Sequence, residues 1–63
     1  MTVTIETWIE YDDYIDVNYY IGDERYTQRV DRFSIFAAHL RTLDYAECEM
    51  MLEEYFKEGK EQQ

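Results

Sequence analysis

Carboxylate side chains near the C-terminus have the spacing that most clearly suggests a chemical role. Glu49 and Glu53 are four residues apart, and so are Glu54 and Glu58. On a helix each pair would bring two like charges together, which destabilises the helix by roughly 0.2–0.5 kcal/mol. Two interpretations are open. The carboxylates form a solvated, solubilising face, or they imitate the phosphates of a nucleic acid and occupy a channel lined with Lys and Arg.

A second acidic group, formed by Asp12, Asp13 and Asp16, lies in the first third of the chain. These residues and Asn18 do not have the spacing of an EF-hand calcium loop, and no Gly follows at the position that such a loop requires. Asp is common in the turns between strands. Asp12 and Asp13 therefore indicate a hairpin loop, and in the functional interpretation they add negative charge for a partner.

Aromatic residues form the third group. If the N-terminal half of the chain is a sheet, strict alternation places the following side chains on its outer face, away from the helices: Glu6, Trp8, Glu10, Tyr14, Asp16, Tyr20, Arg25 and Arg29. Aromatic rings and Arg are enriched in the central contacts of protein interfaces, which favours an interface with a partner or a second copy. The alternative is a self-contained surface in which the arginines stack over the rings.

The remaining reactive side chains form no catalytic or metal-binding motif. His39 is the one imidazole, and no recognisable motif places a Ser, Cys or Asp beside it, so it is interpreted as a surface or boundary residue. Cys48 is the one thiol, which excludes an internal disulfide and the usual zinc sets, and it is interpreted as a small buried apolar residue. Gly22 and Gly59 alone do not make a phosphate-binding glycine loop. The sequence thus predicts a protein that is not an enzyme and holds no cofactor or metal.

Composition limits the kind of partner. The 63 residues include 15 Asp and Glu against 6 Lys and Arg, which gives a net charge of -9 and a pI near 4.2. Direct binding to nucleic acid or to an anionic membrane is disfavoured, because such binding neutralises phosphates with Lys and Arg. No apolar run has the length of a signal sequence or a membrane span. We therefore expect one small soluble domain over 1–63, located in the cytoplasm, whose partner presents a basic surface.

Alternation of apolar and polar residues predicts an antiparallel meander of three strands, which cover 2–11, 14–21 and 24–30. A two-residue turn that starts at Gly22 pairs Tyr19 with Tyr26 on one face and Asp16 with Arg29 on the other. Both pairs are chemically compatible. This hairpin is therefore the best-defined part of the predicted sheet.

Register also decides the loop between the first two strands. A two-residue loop would place Ile9 opposite Asp16, which would put the apolar residues of the first strand on the opposite face from those of the second. We therefore predict a three-residue loop, over 11–13 or 12–14.

After the third strand the apolar residues take the period of a helix, with Asp31 at the position of the N-terminal cap. A break is predicted at 41–43, and a second helix over 45–57 is ended by Gly59, with a frayed tail at 60–63. The apolar stripe predicted for the first helix consists of Phe33, Phe36, Ala37 and Leu40. The predicted fold is α+β in the order β-β-β-α-α, with both helices packed on one face of the sheet.

In size, acidity and lack of catalytic motifs the chain resembles bacteriophage-encoded inhibitors such as anti-CRISPR proteins, anti-restriction DNA mimics and uracil-DNA glycosylase inhibitors. The resemblance covers overall character and no motif, so it transfers no site residue. It implies a small inhibitor, encoded by a phage or mobile element, that acts in the host cytoplasm on a basic nucleic-acid-binding protein or nuclease complex. The residues predicted to bind this partner are Glu49, Glu53, Glu54, Glu58, Asp12, Asp13, Trp8, Tyr14, Asp16 and Tyr20. The alternative is a non-enzymatic structural or accessory module that homodimerises or docks through the aromatic sheet face.

Overall fold

The predicted order of elements is confirmed. A computed structural model describes the backbone of residues 2–61 and the side chains of residues 2–56. Three antiparallel strands form one open sheet with β2 in the centre, and two helices follow and pack against it. The elements are β1 (Val3–Glu10), β2 (Tyr14–Ile21), β3 (Glu24–Asp31), α1 (Ile35–Arg41) and α2 (Tyr45–Glu61). The chain therefore has the α+β architecture β-β-β-α-α.

The β2–β3 hairpin has the register that the sequence predicts. Gly22 has a φ of 62°, and Asp23 does not have a positive φ, which is the pattern of a two-residue type II′ turn with Gly in its first central position. The turn pairs Tyr19 with Tyr26, and the two rings stack with centroids 5.8 Å apart. On the outer face the predicted pair of Asp16 with Arg29 is also confirmed.

The β1–β2 pairing contains an irregularity that alternation does not predict. Ile5 pairs with Tyr19 and Thr7 pairs with Asn18, so Glu6 is an extra residue of β1 with no partner on β2. Such an insertion is a β-bulge. After the bulge, every side chain of β1 lies on the face opposite to the one that strict alternation assigns.

The bulge corrects the predicted faces of the second half of β1. Trp8 lies opposite Val17, on the inner face that the helices cover, and Ile9 lies opposite Asp16 on the outer face. The prediction that Trp8 is on the outer face is therefore wrong. Glu10 is also turned inward, because it is paired with Ile15.

The prediction of a three-residue loop between β1 and β2 is wrong in register, because the pairing is that of a two-residue loop over 12–13. The strands leave residues 11–13 between them. The Tyr11 N–H donates to the Tyr14 carbonyl at 2.7 Å, which continues the pairing of Ile9 with Asp16. The longer loop was predicted in order to avoid that pairing. In the structure the bulge, rather than the loop, places Val3 on the same face of the sheet as the buried side chains of β2.

The first helix begins later than predicted because a different residue caps it. The Ser34 Oγ accepts a hydrogen bond from the Ala37 N–H at 3.1 Å and is the N-cap of α1. The Asp31 Oδ1 instead accepts from the Phe33 N–H at 2.8 Å, in the turn before the helix. Phe33 therefore lies outside the helix and is 86% exposed. The other three residues of the predicted stripe are buried, namely Phe36, Ala37 and Leu40.

The predicted break between the helices is confirmed, and it has the geometry of a Schellman motif. The Leu43 N–H donates to the Leu40 carbonyl at 3.0 Å, and the Asp44 N–H donates to the His39 carbonyl at 2.9 Å. Leu43 occupies the left-handed position, with a φ of 61°, that usually belongs to Gly. Its side chain is 66% exposed, so packing of this side chain does not explain why a leucine is held in that conformation.

The second helix is longer than predicted. It continues through Gly59 to Glu61, so the prediction that Gly59 ends it is wrong. Residues 62 and 63 lie outside the described residues, and fraying of the tail stays a prediction.

The core lies between the inner face of the sheet and the two helices. Its buried residues are Val3, Ile15, Val17, Tyr19, Phe36, Ala37, Leu40, Cys48 and Leu52. α2 packs mainly against β1 and α1, and α1 also contacts β3. No helix in the described part of the chain is long and apolar enough to span a membrane.

Candidate interaction surfaces

All four arginines of the chain are held by its own carboxylates. With N···O distances between 2.9 and 3.2 Å, the pairs are Arg25–Glu6, Arg29–Asp16, Arg32–Glu10 and Arg41–Glu10. Three of the 15 acidic residues thus take every arginine, and the other twelve are balanced in the sequence only by Lys57 and Lys60. The net negative charge of the protein therefore comes from carboxylates outside these pairs.

The outer sheet face brings together three of the predicted partner-binding residues, Tyr14, Asp16 and Tyr20. The Arg29 guanidinium lies 3.9 Å from the centroid of the Tyr14 ring and donates to Asp16. That hydrogen bond is the main reason why the pKa of Arg29 is raised. Next to them, the Tyr20 hydroxyl donates to Glu6 at 3.5 Å. Positive and negative charges cancel on this face, so it does not present an acidic surface.

Two further residues of the outer face were missed by the sequence reasoning. Ile9 is 51% exposed and Tyr11 is 43% exposed, and the Tyr11 ring lies 4.9 Å from the Tyr14 ring. They belong to this face because of the bulge register. The signal that could have found them was the pairing of Ile9 with Asp16, which follows from a two-residue loop and was rejected.

Trp8 takes no part in the outer face. Its indole packs against the core, and its Nε1–H donates to the Tyr45 hydroxyl at 3.2 Å. Trp8 therefore joins β1 to α2 and is not available beside Tyr14 and Tyr20.

The carboxylates of α2 do not form a single row. Glu49 is half-buried, and its Oε2 accepts a hydrogen bond from the Ile5 N–H at 2.9 Å, so it closes the edge of β1 next to the bulge. Glu53 follows on the same side of the helix and is also half-buried. Glu54 is exposed and lies about 140° around the helix axis from Glu49, at 3.6 residues per turn. The side chain of Glu58 lies outside the described residues.

The acidic residues of the two hairpin ends are far apart. The carbonyl of Asp12 accepts from the Arg32 Nη1, and that of Asp13 from the Arg32 N–H, so these residues lie beside the Arg32–Glu10 pair. The Gly22 turn is at the other end of β2, about 24 Å away at 3.4 Å per residue.

The C-terminal half of α2 reaches the Gly22 end of the sheet. Phe56 lies edge-on to Tyr26, with centroids 5.4 Å apart, and the Tyr26 hydroxyl donates to Glu24. Glu53 and Glu54 therefore lie at the same end as the Gly22 turn and away from Asp12 and Asp13. Overall, the structure distributes the predicted partner-binding residues over the outer face, the core and two opposite ends.

A groove of about 300 Å³ opens on the inner side of β3, because α2 lies mainly over β1. It is lined by Val30 of β3, Phe36 of α1, and Met51, Leu52 and Tyr55 of α2, together with Gln28, Asp31 and Ser34. The exposed fraction of Tyr55 is 57%, so this apolar lining continues to the surface. The sequence does not indicate this groove.

The titratable groups include one His–Asp pair, in which the His39 Nδ1 lies 3.3 Å from the Asp44 Oδ2. Hydrogen bonding to Arg41 lowers the pKa of Glu10, and burial raises the pKa of the Cys48 thiol to about 11, so the sulfur stays protonated and unreactive. Among the described residues, no group of three or more His, Cys, Asp or Glu side chains could hold a metal ion.

Comparisons with protein-family models, with curated proteins and with solved structures give no match to this chain.

Proposed function

We propose that this protein is a small acidic inhibitor that binds a basic nucleic-acid-binding protein or nuclease complex, of the anti-CRISPR or DNA-mimic type, and denies it DNA or RNA. One observation carries the proposal. All four arginines form ion pairs with three of the carboxylates, and the other twelve acidic residues are balanced in the sequence by two lysines. These carboxylates are available to a basic partner.

The surface best suited to the partner is the exposed side of α2 together with the Gly22 end of the sheet. Glu47 and Glu54 are exposed on α2, Glu53 is half-buried there, and Asp23 and Glu24 are exposed at the turn. Their carboxylates present negative charge to a basic groove in the manner of phosphates. This assignment replaces Glu49, whose carboxylate is used to hold β1, with Glu47.

Binding by such a surface depends on salt, because exposed charges more than about 10 Å apart are screened at 0.1 M ionic strength. The inhibitor is tested against a panel of CRISPR effector complexes, restriction nucleases and uracil-DNA glycosylase. We therefore expect it to bind one class of protein on the panel and to release this target as the salt concentration is raised. In an electrophoretic mobility-shift assay it should displace DNA from the protein that it binds.

Two double variants with the same change in charge locate the contact. E53Q/E54Q removes two charges from α2, and D12N/D13N removes two from the opposite end of the sheet. We expect E53Q/E54Q to weaken binding and D12N/D13N to change it little. Binding that is indifferent to salt and unaffected by E53Q/E54Q would rule out the mimicry mechanism.

The second candidate function is a structural or accessory module that homodimerises or docks through the outer face. The exposed Ile9 and Tyr11 beside Tyr14 favour it, because together they form an apolar end on a face whose charges cancel. Light scattering tests this function. A tight dimer that I9R abolishes, in a protein that binds no basic target, would favour the module over the inhibitor. Trp8→Ala is not a suitable test, because Trp8 belongs to the core.

A further inference from the structure

The groove on the inner side of β3 is open to the surface. Among its lining residues Leu52 is buried, Val30 and Met51 are half-buried, and Tyr55 is exposed. Ligand pockets usually enclose about 300–1,000 Å³, so a groove of about 300 Å³ is at the lower limit. It has room for one or two apolar side chains rather than for a large cofactor.

Negative charge lies beside this apolar groove on its α2 side. Asp31 also lines the groove, but it pairs with Tyr14 in the register of the outer face and its carboxylate accepts from the Phe33 N–H. Glu47 precedes Met51 by four residues and Glu54 follows it by three, so both are neighbours of Met51 on the surface of α2, and both are exposed. No Lys or Arg lines the groove in the described part of the chain, since Arg29, the nearest along β3, is held on the outer face by Asp16.

The strand that lines the groove also lies at an edge of the sheet. β3 is an edge strand with no neighbour on its far side among the described strands. The other edge, β1, is interrupted by the Glu6 bulge and closed by the Glu49 carboxylate, which takes the Ile5 N–H. On β3 the Arg29 carbonyl accepts from Gln28 Nε2 and the Asp31 carbonyl accepts from Ser34, so an extended segment has the remaining part of this edge to pair with.

We propose that this groove binds an extended basic segment of the partner protein, in which an apolar side chain that enters the groove is flanked by Lys or Arg. The inference rests on the proposed inhibitor function and names the part of the target that is held. The apolar side chain contacts Val30, Met51 and Tyr55, and the flanking cations meet Glu47 and Glu54. A second copy of this chain does not fit, because it carries the same charge of -9 and would bring carboxylates against carboxylates.

Nuclear magnetic resonance with the isotopically labelled full chain tests the proposal. The probe is a short synthetic peptide in which Phe and Leu are flanked by Lys, and the matched control peptide has Ser in place of Phe and Leu. We expect the first peptide to bind at least ~10-fold more tightly, the factor expected for burying one large apolar side chain. The largest shifts should occur at Val30, Phe36, Met51 and Tyr55. Equal affinities, or shifts that centre on the outer face, would overturn the proposal.

Variants separate the groove from the charge. Met51→Gln keeps a flexible side chain of similar length, and Tyr55→Ala alters an exposed residue, so both are compatible with folding, which the amide spectrum verifies. Each should reduce the affinity of the Phe-Leu peptide to that of the Ser peptide, whereas Tyr20→Ala on the outer face should leave it unchanged. If Tyr20→Ala has the larger effect, the groove is not the site.

The same variants distinguish this inference from the proposed function. If a basic target is found and its binding falls with E53Q/E54Q but not with Met51→Gln or Tyr55→Ala, the inhibitor function stands and the groove proposal fails. If the peptide binds in the groove but no target on the panel is bound, the groove stands and the inhibitor function fails.

Discussion

Replacing Trp8 and Tyr45 with Phe, singly and together, tests the bulge register through protein stability. In the observed register the Trp8 indole faces the helices and donates to the Tyr45 hydroxyl at 3.2 Å. Under strict alternation the indole would face solvent and the two side chains would not meet. The double-mutant cycle isolates the free energy of their interaction, because each single substitution removes one of the two hydrogen-bonding groups.

The expected magnitudes follow from this contact. A hydrogen bond between partly buried neutral groups contributes about 1 kcal/mol to stability. Trp8→Phe loses this bond and some apolar contact, so it should reduce the free energy of unfolding by about 1–2 kcal/mol. Tyr45→Phe should lose about 1 kcal/mol, with a coupling of about 1 kcal/mol in the cycle. A chain of 63 residues has a total stability of roughly 3–9 kcal/mol, so all four proteins should remain folded.

Urea unfolding followed by far-ultraviolet circular dichroism is the suitable assay, because Trp8 is the only Trp and its fluorescence is lost in Trp8→Phe and in the double variant. With a denaturant slope of about 1 kcal/mol/M, a loss of 1 kcal/mol moves the midpoint by about 1 M. Ile9→Ala is the matched control, since the exposed side chain of Ile9 should contribute less than Trp8 does. A coupling below about 0.3 kcal/mol, within the usual additivity error, or a larger loss for Ile9→Ala than for Trp8→Phe, would refute the register.

Three further predictions concern other parts of the fold. Arg41 lowers the pKa of Glu10 below its usual 4.5, so Glu10→Gln should destabilise the protein at neutral pH. The difference in urea stability between the two proteins should vanish as the pH falls through the lowered pKa. A difference that grows in acid would contradict this expectation. Leu43→Gly should stabilise the protein by about 1 kcal/mol in thermal or urea unfolding, because Gly adopts the left-handed conformation without strain. Ala38→Gly, at an exposed position of α1, is the control and should destabilise the protein by about the same amount. Since the pKa of Cys48 is raised to about 11, iodoacetamide at pH 8 should react only as fast as the protein opens, and rapid labelling of the folded protein would show that the thiol is accessible.

Much of the fold was predictable because its signals are local. The type II′ turn needs a residue that tolerates positive φ, and Gly22 supplies it in the only position that gives both faces compatible pairs. The bulge has no such signal. Glu6 is not a Gly, and the sequence offers only the conflict between Ile9 and Asp16, which a longer loop would also relieve. Choosing between the two solutions requires the contact of Trp8 with α2, which is a tertiary interaction.

The start of α1 illustrates the same limit on a smaller scale. Asp31 and Ser34 are both good N-cap residues, and they are three positions apart. With Ser34 as the N-cap, Phe33 lies in solvent before the helix and Phe36 is buried within it. The packing of α1 against the core therefore decides where the helix begins. Local preference alone gives no ranking of the two caps.

The candidate surfaces were only partly predictable, since charge in the sequence does not reveal which carboxylates are already used. Glu49 has the same type and spacing as Glu53, yet it bonds to a backbone N–H 44 residues away. Glu10 forms ion pairs with one arginine in the turn before α1 and one at the end of α1, because the bulge turns its side chain inward. The groove beside Met51 arises from the position of α2 over β1, which no residue pattern specifies.

The bulge also has a consequence for chain length. Glu6 is the one residue of the described sheet pairing that has no partner, so its deletion would leave Ile5 opposite Tyr19 and Thr7 opposite Asn18 in an uninterrupted ladder with every face unchanged. The main loss would be the exposed contact with Arg25, worth about 0–1 kcal/mol. Deleting Asn18 from the central strand would instead displace half of β2 against both neighbours. We expect the first deletion to fold and the second to unfold, so a difference of one residue in length can arise in β1 without a new fold.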